Sequence, residues 1–231
     1  MHNREAFLAT IAQALGREPR QAPDARPTPV NNYAQTRMTG LSMQDRCDAF
    51  IGCASTLLMV NCVVTTQSDA PAAALKLCDK YGGEPVIISG DARLEMAGIT
   101  QQLCKARRTT VWDPSQGEQN IQLAEQAKVG VVYAEYGLAE SGGVVLFSAP
   151  ERGRSLSLLP ESSIFVLRKS TILPRVAQLA QKLHQMAEEG VRMPSCINLI
   201  GGPSSTADIE LSKVIGVHGP VNAACLIIDD C

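Results

Sequence analysis

The stretch VGVVYAEYGLAESGGVVLFS, residues 129–148, sets two apolar runs rich in valine and glycine around a short polar loop carrying Glu135, Glu140, Ser141, Gly142 and Gly143. Each run has the length and β-branched character of a strand buried on both faces, which puts the loop at the rim of a sheet. A polar loop so placed is either an active-site loop or an ordinary hairpin turn. The flanking chain has to separate the two.

Upstream, helix and strand patterns alternate. Residues 42–58 place Phe50, Ile51, Ala54 and Leu58 on one helical face behind the cap residue Ser42, and residues 60–66 form a β-branched run. A helix over 70–81, a strand over 84–89, a short helix after Asp91, a strand over 109–112 and a helix over 117–127 follow. Strands separated by helices of this length require a mainly parallel sheet covered on both faces, a three-layer α/β/α architecture. Downstream of residue 129 the runs at 129–136, 143–148, 155–159 and 163–167 leave no room for helices, so antiparallel strands are expected in the middle of the chain. Residues 173–189 read as a helix with Pro174 in its first turn and Gly190 closing it, 195–200 as a strand, and 223–228 as a last strand.

At the N-terminus, residues 1–16 hold Phe7, Leu8, Ile11, Ala12 and Leu15 at helical spacing between Asn3 and Gly16. Residues 17–40 form a proline-rich linker with Pro19, Pro23, Pro27 and Pro29, and residues 41–231 are the main domain. The terminal helix docks either on a partner or on its own domain.

The composition narrows the function classes. With 45% hydrophobic and 19% charged residues the chain is globular, and a net charge of −2 with 4% aromatics supplies neither the electrostatics nor the stacking surface for nucleic acid. No run approaches the length of a membrane span and no signal peptide is evident, so a cytoplasmic protein is expected. The eight cysteines (47, 53, 62, 78, 104, 196, 225 and 231) form no C-x-x-C pair and no cluster with histidine. They read as buried, reduced thiols rather than zinc or iron–sulfur ligands, so no metal site is expected.

Ligands of an open α/β sheet bind outside the carboxyl ends of its strands, which singles out the loops at 135–143, 201–208 and 216–220. Glu135 and Glu140 have the chemistry of a nucleophile, general base or substrate clamp, with Gly142 and Gly143 allowing close approach to the backbone. Two carboxylates five residues apart are also commonplace in turns. The second loop, Gly201-Gly202-Pro203-Ser204-Ser205-Thr206-Ala207-Asp208, reads as a turn entering a helix, with backbone N–H groups and three hydroxyls suited to phosphate or carboxylate. Equally, Ser205-x-x-Asp208 is a helix start that needs no ligand, and neither a Walker motif nor a dinucleotide fingerprint is present. Arg152 and Arg154 could hold an anion by paired hydrogen bonds or form an exposed turn with salt bridges to Glu151 or Glu140. His218, fixed among Gly216, Gly219 and Pro220, is a candidate acid, base or ligand.

The segments VGVVYAEYGLAESGGVVLFSAPERGRSLSLLPE (129–161), INLIGGPSSTADIE (197–210) and GVHGP (216–220), together with the N-terminal NREAFLATIAQALGR, closely resemble the LUD-domain family. The resemblance implies a fold similar to ribose-5-phosphate isomerase, glucosamine-6-phosphate deaminase and the CoA transferases. It also implies membership of a three-component system oxidising L-lactate to pyruvate, whose partner subunits carry the iron–sulfur clusters. This chain would then bind no cofactor of its own and would hold a small anionic ligand such as lactate, pyruvate, phosphate or a nucleotide. A homo-oligomer is compatible with this reading. A stand-alone transferase or isomerase using a loop glutamate, and a purely structural assembly subunit, are the alternatives.

Overall fold

A computed structural model describes residues 3–19, 25, 27–207 and 212–231, in two compact units, residues 1–32 and 33–231. The first unit contains helix α1 (Arg4–Ala14), which Gly16, at φ 64°, stops as the sequence predicts. Asn3 stands at its N-cap position without a side-chain capping hydrogen bond.

In the second unit the strands are β1 (Asn61–Thr66), β2 (Val86–Ile88), β3 (Thr109–Val111), β4 (Val129–Tyr133), β5 (Tyr136–Leu138), β6 (Gly143–Phe147), β7 (Ser162–Arg168), β8 (Ile172–Leu173), β9 (Ile197–Ile200), β10 (Ser205–Ala207), β11 (Lys213–Ile215) and β12 (Asn222–Asp229). Six form a central sheet in the order β1-β12-β7-β4-β2-β3, with every pair parallel. Strand periodicity sorts its side chains onto two faces. Val129, Val131, Ile164, Val166, Leu226 and Ile228 enter one core, whereas Val132, Phe165, Leu167, Cys225 and Ile227 enter the other.

The remaining helices of this unit are α2 (Tyr33–Thr36), α3 (Met43–Thr56), α4 (Ala70–Lys80), α5 (Ala92–Met96), α6 (Ile99–Ala106), α7 (Glu118–Gln126), α8 (Ser155–Leu158) and α9 (Val176–Glu188). Helices α4, α5 and α6 supply Ala74, Leu77, Leu94, Ile99 and Leu103 to the first core. On the opposite face lie α3, with Cys47, Phe50 and Ala54, Ala124 of α7 and Leu156 of α8. A second, four-stranded sheet, β8-β5-β6-β9, also packs on that face through Val144, Leu146 and Ile172. Its other side is covered by Leu179 of α9 against Leu138, Val145 and Leu173. The layered, mainly parallel α/β architecture therefore stands, and the expected antiparallel pairs are β5–β6 and β6–β9. No helix among the described residues is long and apolar enough to cross a membrane.

Four elements differ from their predicted form; the run at 129–136 is divided at Ala134 and Glu135 between β4 and β5, which belong to different sheets. Residues 155–159 read as a strand because Leu156 and Leu158 alternate with serine, but Ser155–Leu158 is a helical turn. Over four residues a period of 2 and one of 3.6 are not separable. The helix expected over 173–189 begins only at Val176, because Ile172–Leu173 pairs with β5 and Pro174 precedes the helix. The turn at 201–208 does not enter a helix at Ser205: Ser205–Ala207 is a strand paired antiparallel with Lys213–Ile215.

Candidate functional site

The stretch 129–148 crosses between the two sheets. Its first run ends as β4 in the central sheet, Ala134 and Glu135 make the crossing, and its second half is the β5–β6 hairpin of the smaller sheet. The crossing sits at a topological switch. From β2 the chain continues outward to its neighbour β3, whereas from β4 it proceeds to β7 on the other side, so the connections leaving adjacent strands β2 and β4 diverge. Divergent connections open a crevice at the carboxyl ends of those strands.

Gly90, Asp91, Ala92, Arg93, Glu135, Glu151 and Arg152 line a cleft of about 430 Å³ there. Asp91 follows β2 and is the N-cap of α5, accepting a hydrogen bond from the Arg93 backbone N–H at 3.0 Å. Arg93 folds back on it, donating Nε to Oδ1 at 2.9 Å and Nη2 to Oδ2 at 2.6 Å. The same guanidinium donates Nη1 to Oε2 of Glu135 at 2.6 Å and Nη2 to Oε1 at 2.7 Å. Arg152 adds Nη1 to Oε1 of Glu135 and lies 3.5 Å from Oδ2 of Asp91. The Arg93 guanidinium carbon stands 4.1 Å from the ring centre of Tyr133, a cation–π contact.

The loop bearing Glu151 and Arg152 is tied to the strand ends by hydrogen bonds. The Glu151 carbonyl accepts from Gly90 N at 3.1 Å and Ser89 Oγ at 3.2 Å, and Trp112 Nε1 donates to the Pro150 carbonyl at 2.9 Å. Gly153 lies against the Trp112 ring, where a Cβ would come within 2.2 Å of Cζ2. Burial pushes the Asp91 carboxyl up, but hydrogen bonds from the Arg93 side chain and backbone, with the charges of Arg93 and Arg152, outweigh it and leave the group below its ordinary range. Burial likewise opposes the Arg93 charge, yet its bonds to Asp91 and Glu135 raise its pKa.

Two carboxylates, Asp91 and Glu135, and two guanidiniums, Arg93 and Arg152, therefore meet at the sheet's carboxyl edge. Arg93 spends Nε, Nη1 and Nη2 on Asp91 and Glu135, so the donors left to meet a ligand carboxylate are those of Arg152. Nε and Nη2 of Arg152 make no hydrogen bond among the described residues.

The other predicted residues lie elsewhere. Glu140 joins Arg175 Nε at 2.6 Å and Arg37 Nε at 3.2 Å, while Arg175 Nη1 donates to the Tyr33 carbonyl at 2.8 Å; this ties the start of α9 and the α2 region to the hairpin turn. Gly142, at φ 69°, closes that turn against α3, with its N–H donated to the Leu138 carbonyl at 2.8 Å. Ser141 Oγ accepts from Gly143 N at 3.4 Å, and Gly143 begins β6. Arg154 lines a small void with Ser89, Tyr133, Ser157 and Asn198.

Gly202, Ser204, Ser205 and His218 do come together, around a cavity of about 340 Å³ floored by Phe165, Leu199, Ile200 and Ala223. Thr206 continues from it in β10, and Asp208 lies outside the described residues. This cavity is not at the carboxyl edge. Gly216–Pro220 precedes β12, and Ser163 is the second residue of β7, so the cavity opens near the amino ends of those strands. The loop at 201 follows β9 of the smaller sheet, so of the three loops weighed from sequence only the one at Glu135 follows a central strand. Sequence reading missed Asp91 and Arg93 as site residues. Their signal is an Asp-x-Arg placed directly after a buried strand, where a ligand loop is expected.

Fold and site define a parallel α/β protein with a charged cleft at its switch point. Residues 48–228 match the LUD domain family, and the chain belongs to it. It is 64% identical over 231 residues to Escherichia coli (strain K12) "Uncharacterized protein YkgG", with all of both chains covered. It is 41% identical to "Lactate utilization protein C" of Geobacillus kaustophilus over 235 residues and of Bacillus subtilis over 242, covering 100% of this chain and 98% of each relative. Among solved structures, a DUF162 family protein from Deinococcus radiodurans shares the fold, with a TM-score of 0.59 at 18% identity over 81% of this chain and 99% of that one.

Proposed function

We propose that this chain serves lactate utilization as a subunit without a redox centre of its own, holding a small carboxylate at the switch-point cleft while partner subunits carry iron–sulfur clusters. The pathway rests on end-to-end similarity to relatives named lactate utilization protein C. The ligand class rests on one observation, that Arg152 at the carboxyl ends of β2 and β4 keeps Nε and Nη2 without a hydrogen bond among the described residues. L-Lactate and pyruvate carry the group that such a pair of donors recognises. The alternative with a glutamate nucleophile draws no comparable support, since Glu135 and Glu140 each bridge two arginines.

Calorimetric titration of the purified protein with L-lactate and pyruvate tests the ligand. Binding is expected in the wild type and a loss of at least about tenfold in affinity in Arg152→Met, the cost of a charged hydrogen-bonded contact. An absence of heat with both acids overturns the ligand assignment. Deleting the gene in a strain with no other lactate oxidase should abolish growth on L-lactate, and normal growth would overturn the pathway assignment.

A further inference from the structure

Cys62 and Cys225 are direct partners in the parallel pairing of β1 with β12, so their side chains leave the same face of adjacent strands. Neighbouring strands stand about 4.8 Å apart, within the Cα separation that a disulfide spans. Both thiols are free, and Cys62 packs against the core cluster that contains Cys225. They are not equivalent. Strand β1 is an edge of the central sheet and Cys62 is half-buried on it, whereas Cys225, one strand further in, is 1% exposed.

We propose that Cys62 and Cys225 are a peroxide-oxidisable dithiol whose disulfide ties the edge strand β1 to β12. Their ionisation fits an attacking and a resolving thiol. The neighbouring Cys225 thiol outweighs burial and lowers the Cys62 pKa, while Cys62 together with burial raises the Cys225 pKa. The Cys62 thiolate attacks one oxygen of hydrogen peroxide; the O–O bond breaks and the departing hydroxide takes a proton to become water, leaving Cys62 as a sulfenic acid. The Cys225 sulfur then attacks the Cys62 sulfur, the S–O bond breaks, and the hydroxide released takes the Cys225 proton. Two thiols lose two electrons, and one peroxide becomes two waters. Because residues 62 and 225 are far apart in sequence, the link closes a long loop and restricts the unfolded chain strongly. Cys47, buried on α3 and within electrostatic reach of Cys62, is the internal competitor.

The test treats the full-length protein with stoichiometric hydrogen peroxide and maps its peptides without reduction. A Cys62–Cys225 linked peptide, a melting temperature raised by several degrees and reversal of both by dithiothreitol are expected. In Cys225→Ser the reaction should stop at a sulfenic acid on Cys62 that dimedone traps, and Cys62→Ser should show no link to Cys225. The proposal is overturned by linkage of Cys62 to Cys47, by Cys62 passing to sulfinic acid while Cys225 stays alkylatable after denaturation, or by oxidation confined to the exposed Cys104 and Cys231. These readouts do not depend on lactate binding.

Discussion

Asp91 is 8% exposed and keeps its charge because Arg93 meets it twice through the side chain and once through the backbone. A carboxyl group whose pKa is lower folded than unfolded adds stability above its unfolded pKa, about 3.9, and loses it as the pH falls through the folded value. Urea unfolding of the wild type between pH 6 and pH 2.5 should therefore lose stability on acidification more steeply than Asp91→Asn. Parallel curves would mean that Asp91 gains nothing from its partners. The cluster was only half legible in the sequence. Glu135 and Arg152 stand beside the valine-rich strands and attract notice, but the Arg93–Glu135 bonds join residues 42 positions apart, and nothing local marks Arg93 as their partner. Arg152, for which the sequence offers either an anion or a salt bridge to Glu151 or Glu140, pairs with Glu135 because strand β4 delivers that residue to the same edge.

Elements whose signals are local were read closely. Helix α3 starts behind Ser42, whose Oγ accepts from Asp45 N at 3.1 Å while the Asp45 carboxylate accepts from Ser42 N at 3.3 Å, a reciprocal cap. Ser42→Ala should cost about 1 kcal/mol in chemical denaturation, and no change would show that tertiary packing alone fixes the helix start. Helix α8 was misread because what makes it helical lies outside it. It crosses β4 at Gly130, where a Cβ would sit 2.1 Å from the Leu156 carbonyl oxygen and 2.8 Å from Pro160 Cγ. The glycine of the VGVVY run is thus a packing notch, and it lets Leu156 reach full burial in the core. Gly130→Ala should overpack that contact and destabilise by about 1–3 kcal/mol, lowering the melting temperature by several degrees. A variant as stable as the wild type would show that α8 can lift off the sheet without cost.

At the scale of the molecule, the loops that looked alike in sequence are sorted by sheet direction. Glu135 with Arg93 and Arg152 lies at the carboxyl ends of β2 and β4, whereas Ser204, Ser205 and His218 gather near the amino ends of β7 and β12. Strand order was not legible from periodicity, because helix–strand alternation implies parallel strands without saying which are neighbours. Hence the glycine- and hydroxyl-rich turn at 201–208 is singled out together with the Glu135 loop, as though both followed strands of one sheet. Polarity distinguishes the two places physically: among the described residues the 340 Å³ cavity is lined by serines, one histidine and apolar groups with no arginine, lysine or carboxylate, while the 430 Å³ cleft carries charged side chains. A carboxylate that binds only the folded protein must raise its melting temperature, and the rise must follow the residues that hold it. With saturating L-lactate or pyruvate, Ser205→Ala and His218→Ala should keep the wild-type thermal shift, whereas Arg152→Met should lose most of it. If the shift instead disappears with His218 and survives without Arg152, the anion belongs at the amino ends of the sheet, and the switch-point cleft is a structural ion-pair cluster.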